Sequence, residues 1–495
     1  MTETAFHNPG LQVGLVLRRV QLRWPGVARL RDGLTGPLRL SGISIAQDRG
    51  GRDPLWLSAL TACERLAFPL RAGTGPARNA TRSEPARCDV IVDFRSQVPP
   101  EELVRQARHG VWQLSCHAHG VVAGDVLGGA TATECVLVVH TAEEPAGRPV
   151  AKARVQTKTL VSLSRDFASE KAVQLLLHHL RRLALTGTLA PAIDMPPIAG
   201  APNPAHLPHY ALSVIREAIE RRRDRKAGAK PFSLRFGPGA LPEIDPATGI
   251  DVAPAPGTYA ADPFLVERGG DVYCFYEEYP YDSRIGRIAV AKLDDAGAER
   301  IGIALEMPYH LSFPFLFEDD GMLCMMPETL AADRIEIWRC TEFPLGWTRL
   351  ATGPEGLRLA DPVLFKRDDE WLLFGNTCHD ERGDFSSELS LFQISGPDLA
   401  EVVPHPLNPV VVGSDVARSG GRVFERDGRL YRMSQDNSGR HYGYGLNVME
   451  ITELSATTYA ERRVAQFTPD RVPRSIGCHH ADSAAGRWVV DLRWP

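Results

Sequence analysis

No run of apolar residues in this chain of 495 approaches the ~20 needed to cross a bilayer, so no membrane span is expected. Neither sign of charge is in excess. The 56 Lys and Arg against 61 Asp and Glu leave a formal net charge of -5, which removes the electrostatic case for a nucleic-acid partner. Cysteine is sparse: nine scattered residues, odd in number and without a CxxC spacing, point away from a disulfide framework or a zinc site and towards reduced thiols in a cytoplasmic protein. A secretory leader is not indicated either. The apolar LQVGLVL is short, runs into Arg18, Arg19 and Arg23 and has no small-residue cleavage site, so it reads as a first strand.

What the chain does have is a repeat. ADPFLVERGGDVYCFYEEY (261–279) returns as SFPFLFEDDGMLCMMPET (312–329), ADPVLFKRDDEWLLFGNT (360–377), SGGRVFERDGRLYRMSQD (419–436) and, in a worn form, CHHADSAAGRWVVDLR (478–493). Each copy is a short apolar strand, a Gly/Asp turn and a second apolar strand, the pattern of a β-hairpin. Between copies lie further alternating segments (IGRIAVAKL, DRIEIWRC, SELSLFQI, YGLNVMEI), and GWTRL offers a fourth strand. Five such units at a spacing of roughly 50 to 60 residues predict a five-bladed β-propeller over 230–495, with PFSLRF (231–236) completing the fifth blade and closing the ring.

The first part of the chain alternates differently. Strands at 11–17, 38–46, 88–94 and 110–117, with helices over 53–68, 101–109 and 167–185, predict an α/β domain over 1–188 with a largely parallel sheet. Six prolines between 191 and 208 mark a linker, followed by a helix from His209 to Lys226 that ends in RRRDRK. Those cations read as a solvated helix end that suits the helix dipole, or else as a patch for an anionic ligand or a membrane surface.

In a propeller the repeat positions converge on a central channel, so the chemistry is sought there. Asp262 and Asp361 occupy one slot in the first and third copies, directly before proline. Two carboxylates facing a polar funnel suit acid/base work at a glycosidic bond, whereas the alternative makes them turn residues kept for structure. Glu328 and Asp436 end second strands, with Glu277 and Glu278 near the equivalent place in the first copy. Arg418, Arg422, Arg432, Gln435, His479, His480 and Asp482 cluster around the last two copies, and His310 precedes the second. Arg and His beside carboxylates suit an anionic sugar, a phosphate or a leaving group. No metal site is expected, because adjacent His479 and His480 on a strand point to opposite faces.

ADPF, HLSFPFLFEDDG, MMPE, HPLNPVV, DGRLYRMSQD and YGYGLN resemble the propeller domain of plant glucosamine inositolphosphorylceramide transferases, a relative of the arabinanase and levansucrase type of glycoside hydrolase propeller. The resemblance implies that Asp262 is a base and Asp361 an orienting, tuning carboxylate. The fourth copy departs from it: DVARSGGRVF puts Arg418 or Ser419 where the hydrolases carry an acid glutamate, which leaves Glu328 or another carboxylate for that role. The first 188 residues resemble a Rossmann-like formyltransferase core, with Ser115 in place of its asparagine, His117 (or His119) as its histidine and Glu143 or Glu144 near its acid, a vestigial site by this reading. Three functions follow as expectations. They are glycosyl transfer or cleavage in the funnel with a carbohydrate or nucleotide-sugar substrate and no certain cofactor, N-formylation of an amino sugar from formyl-tetrahydrofolate, and sugar binding without turnover.

Overall fold

The computed structural model describes residues 10–18, 21–46, 53–68, 88–95, 97–117, 120–197, 200–227, 232–439 and 442–495. The chain divides into two compact units, 1–217 with the short segment 379–383, and 218–378 with 384–495. Among the described residues no helix is long and apolar enough to cross a membrane.

The first unit is built on one six-stranded sheet of β1 (Leu11–Leu17), β2 (Leu38–Ile45), β3 (Val90–Asp93), β4 (Val111–Leu114), β5 (Ala132–His140) and β6 (Arg148–Gln156), in the order β2-β1-β3-β4-β5-β6. LQVGLVL is thus a strand, as its pattern predicts. The expected parallel character holds for β2, β1, β3 and β4 only. β5 and β6 add an antiparallel hairpin, so the sheet is mixed rather than doubly wound. Helices are α1 (Pro25–Gly33), α2 (Leu55–Ala67), α3 (Glu101–Val104), α4 (Val121–Leu127), α5 (Val161–Thr186) and α6 (Leu207–Ala227). The helix expected over 101–109 is one turn long, while that expected over 167–185 begins six residues earlier. Its N-terminus is capped from another element: Glu64 of α2, buried, accepts from the amides of Val161 and Ser162, and Tyr210 of α6 donates to the same carboxylate. Otherwise orphaned helix donors are satisfied by a charge of the sign that a helix N-terminus favours. Since Tyr210 ties α6 to α2, the first turns of α6 pack with this unit instead of forming a free linker.

The second unit is a five-bladed β-propeller. Blades 1 to 4 are antiparallel sheets that follow chain order outwards from their innermost strands, Thr258–Arg268, Ser312–Asp319, Ala360–Arg367 and Ser419–Arg426. Blade 5 has Ala481–Ala484 innermost and Arg487–Arg493 second, and Phe232–Pro238 pairs antiparallel with that second strand, with Ile250–Val252 outside it. The ring therefore closes as PFSLRF predicts. Consecutive innermost strands touch all the way round, including blade 5 against blade 1. Four of the five hairpin turns, Gly269-Gly270, Asp320-Gly321, Asp427-Gly428 and Ala485-Gly486, have both central residues at positive φ. That is the geometry whose twist matches paired strands, and it explains the Gly and Asp of the repeat.

Candidate active site in the propeller channel

The repeat contains a second irregularity that decides where its carboxylates point. At the entry of the innermost strand two residues oppose one on the neighbouring strand, Asp262-Pro263 in blade 1, Phe313-Pro314 in blade 2 and Asp361-Pro362 in blade 3. The first residue of each bulge is left-handed, with φ 52° at Asp262, 46° at Phe313 and 46° at Asp361. Bulges re-aim side chains, and proline is tolerated there because no ladder donor is required. Asp visits this region more readily than most residues. The bulge is built into the repeat, and only in blades 1 and 3 does it present a carboxylate.

Asp262, 6% exposed, meets the fifth blade. Its Oδ1 lies 3.2 Å from His479 Nε2, and His479 Nδ1 lies 2.9 Å from Asp491 Oδ2. Asp491 is in turn fixed by the amides of His479, His480 and Asp262. Burial disfavours a charged imidazole, but Asp491 and Asp262 outweigh it and hold His479 up at about 10. Burial likewise raises Asp262, and the bonded imidazolium of His479 more than offsets this, so its carboxyl stands below the usual range. Asp262 is an ionised carboxylate at neutral pH. The ligand atoms of Asp262, His479 and Asp491 lie within 4.8 Å of one another, a set of the kind that holds a cation. A divalent ion there would have to displace the proton of His479.

Asp361 meets the fourth blade. Arg418 binds it with both arms, Nε to Oδ2 at 2.7 Å and an Nη to Oδ1 at 3.1 Å, and also lies 3.6 Å from Glu328. Gln435 donates to Asp361 Oδ2 at 3.0 Å and is held by Asn437, and Glu328 accepts from the Asp361 amide at 3.0 Å. Burial pushes Asp361 up. Arg418 pulls it down, Glu328 and Asp262 push further, and the balance stands at about 8. An aspartate raised from its ordinary ~3.9 binds more protons folded than unfolded. Its contribution to stability is therefore complete below that ordinary value and is lost as pH rises towards about 8. The melting temperature of the protein minus that of an Asp361→Asn variant is expected to fall between pH 5 and pH 8 in a calorimetric series.

Glu277 is the carboxylate that residue pattern alone undervalues. It pairs with Ala261 beside Asp262, is 4% exposed, and accepts from Tyr259 Oη at 3.3 Å. His310 Nδ1 accepts from the Gly286 amide at 2.9 Å, so Nε2 carries the proton, and it lies 3.4 Å from Glu277 Oε1. Gly286 has to be glycine here, since a Cβ would come within 2.6 Å of the His310 ring and 2.8 Å of Glu277. Burial, then the charge of Asp262, drives Glu277 well above the usual carboxylate range despite His479. These surroundings favour the protonated form of Glu277. Its neighbour Glu278 faces the other side of the strand, bound by Arg287 and Arg300. Around Glu277 and His479 stand aromatic rings: Tyr259 stacks on Tyr279 at 4.7 Å, Tyr279 meets His310 at 5.9 Å, and Tyr442, 39% exposed, meets His479 at 5.3 Å.

Other candidates fall outside this cluster. Arg432 is spent on Glu461, bidentate at 3.0 and 2.7 Å, and on the carbonyls of Val416 and Ala417, so it braces blade 4 instead of meeting a ligand. Asp436 closes its own loop by accepting from Ser438 and Gln466. His480 is fully buried, edge-on to Phe264 and Phe313, and burial keeps it neutral; it lines the packed part of the channel. Arg422 and Asp482 form an ion pair there that also bonds the carbonyl of Leu265.

The formyltransferase-like trio is not brought together. Ser115 accepts from the Val136 amide, and buried His117 bonds Ser169 Oγ at 2.9 Å while stacking on Phe94. Glu143 is exposed in the turn after β5. In the register Val111↔His140 and Leu114↔Leu137 that turn lies at the opposite end of the strand pair from Ser115 and His117. His119 lies outside the described residues.

The sequence of the propeller carries a known signature. Residues 237–474 match the family model described as glucosamine inositolphosphorylceramide transferase 1, N-terminal. That match takes in Asp262, Glu277, His310, Glu328, Asp361, Arg418 and Gln435, and ends before His479 and Asp491. The glucosamine inositolphosphorylceramide transferase 1 of Arabidopsis thaliana is 34% identical over 253 residues, 48% of this chain and 33% of its own length. The protein of that name from Oryza sativa subsp. japonica is 33% identical over 240 residues, 47% of this chain and 30% of its own. This chain thus spans about a third of the length of the curated relatives it matches. Among solved structures, Zg3597, a family 117 glycoside hydrolase of Zobellia galactanivorans, aligns with TM-score 0.34 and 11% identity over 54% of this chain and 91% of its own.

Proposed function

We propose that the propeller is a carbohydrate-active catalytic module that moves or cleaves a glycosyl unit in its channel. The observation that carries this reading is the pair Asp262 and Glu277, neighbours whose surroundings push their proton affinities apart, one to a carboxylate and the other to an acid. Such a split is how two like groups come to divide base and acid roles. In the proposed step Asp262 takes the proton of an acceptor hydroxyl, or of water, as its oxygen bonds the anomeric carbon. The bond from that carbon to the leaving oxygen breaks, and Glu277 delivers its proton there. His479 and Asp491 hold Asp262 in place and ionised, Arg418 and Gln435 hold Asp361, and the rings of Tyr259, Tyr279 and Tyr442 offer apolar faces to a sugar. Glu328 is assigned to the support of Asp361 and Arg418. The departure at Arg418, where the hydrolases carry their acid, is met by moving that role to Glu277.

The names of the matched relatives suggest the first substrates to try, a glucosaminyl donor with an inositolphosphorylceramide acceptor. The test is a mass-spectrometric screen of the purified protein with pooled nucleotide-sugars, aryl glycosides, this acceptor and simple alcohols, with and without formyl-tetrahydrofolate, beside an Asp262→Asn variant. A glycosyl mass shift, or release of the aglycone, that disappears in the variant is expected. A folate-dependent formyl gain unaffected by Asp262→Asn would put the chemistry in the first unit. Saturable sugar binding without product would make the propeller a recognition module.

A further inference from the structure

Helix α6 has two apolar faces, and the fold uses one of them. At about 100° per residue, Tyr210, Val214 and Glu217 share a side, where Tyr210 is 5% exposed and bonds Glu64, and Glu217 accepts from Thr159. On the opposite side Leu212, Ile215 and Ile219 follow one another at intervals of three and four residues and are 64, 57 and 48% exposed. Exposed aliphatic side chains scattered singly need no explanation, but three in one stripe, unrelieved by a polar residue, mark a contact surface. Continued towards the C-terminus, the same stripe reaches Arg222 and Arg223, both exposed. The acidic residues of this stretch, Glu217 and Glu220, fall off it.

We propose that this face of α6 seats on an anionic lipid bilayer, the aliphatic residues entering between headgroups and the two arginines meeting lipid phosphates. The order of side chains argues for a bilayer. An apolar stripe that passes into cations along a single helix face matches a surface whose apolar interior lies beneath a layer of negative charge, and it lets the long arginine side chains reach phosphates while the helix lies flat. A groove in a protein partner would have to reproduce both layers along one line. The inference stands on the helix alone and does not depend on what the propeller catalyses.

The test is co-sedimentation of the full chain with vesicles of phosphatidylcholine containing about one third phosphatidylserine, and with vesicles of phosphatidylcholine alone. Binding to the anionic vesicles is expected, weakened by salt and by omission of phosphatidylserine. The triple variant Leu212→Ser, Ile215→Ser, Ile219→Ser is expected to bind at least tenfold more weakly, and Arg222→Gln with Arg223→Gln about fivefold for each arginine removed. All five side chains are exposed, so unchanged circular dichroism and melting temperature confirm that each variant folds. No binding to anionic vesicles, or equal binding by the triple variant, overturns the proposal. So does a wild-type dimer in light scattering that the triple variant converts to monomer, since a second copy would then be what covers the stripe.

Discussion

Glu277→Gln is expected to slow turnover of an unactivated glycoside by about 10²–10⁴-fold, the range general acid catalysis supplies. The reason is local. Burial and the charge of Asp262 favour a proton on Glu277 against the opposing pull of His479 and of the Tyr259 hydrogen bond, and glutamine preserves the shape of the group without that proton. Two further readouts separate this from a structural role. The first is the leaving group: a nitrophenolate or a nucleoside diphosphate departs as a stable anion, so with such donors the loss should shrink to less than about tenfold. The second is pH. Activity that requires the protonated form declines as pH rises through the raised value of Glu277, and this alkaline limb should vanish in Glu277→Gln. A variant equally slow on every donor, or one that keeps the limb, would remove Glu277 from the acid role.

Arg418→Ala is expected to destabilise the propeller by about 3–5 kcal/mol at pH values above about 8, where Asp361 is ionised and a buried ion pair is broken from one side. Arg418 is the cation between Asp361 and Glu328, so truncation leaves both carboxylates buried without it. Asp361, already raised to about 8, is driven higher without Arg418, so the loss should be greater at pH 8 than at pH 5, where Asp361 is protonated with or without the guanidinium. Arg418→Met combined with Asp361→Asn removes the charge of that pair from both sides and should recover the share of the loss due to Asp361, Glu328 remaining without its cation. Denaturant unfolding of the single and double variants measures this coupling directly. A single variant as stable as the parent would mean that the guanidinium does not neutralise the pair.

Much of the propeller could be read from residues because its signals are local. The hairpins announce themselves through turns that only Gly, Asp and Asn occupy at low strain, and the Asp-Pro bulges recur in register, so Asp262 and Asp361 stand out as equivalents. The rest depends on pairings that no local pattern contains. Glu277 and Glu278 are adjacent and equally acidic in type; the alternation of a strand sends one to the channel and the other to Arg287 and Arg300, and only the register settles which. Arg432 looked like a ligand contact because Glu461, its partner, is 29 residues further along. Asp491 gives no sign in the sequence that it fixes His479. In the first unit the parallel strands are readable as apolar runs between helices, whereas the turn Glu144-Pro145-Ala146-Gly147 that joins β5 to β6 does not by itself say that the two strands it links pair with each other. Ser115, His117 and Glu143 follow from a resemblance to a formyltransferase core that lacks its asparagine, and the hairpin register carries Glu143 to the far end.

The way the ring closes has a consequence for how the molecule comes into being. His479 and Asp491 stand on the segment that joins blade 5 to a strand made some 250 residues earlier, so on the ribosome four blades can form while Asp262 still has no imidazole beside it. Until that segment arrives and pairs with Phe232–Pro238, Asp262 is an unsupported aspartate in an open crescent. The cluster around Asp262 is thus assembled only once 478–493 has been made and paired, and a chain lacking that segment would keep four blades with Asp262 unsupported.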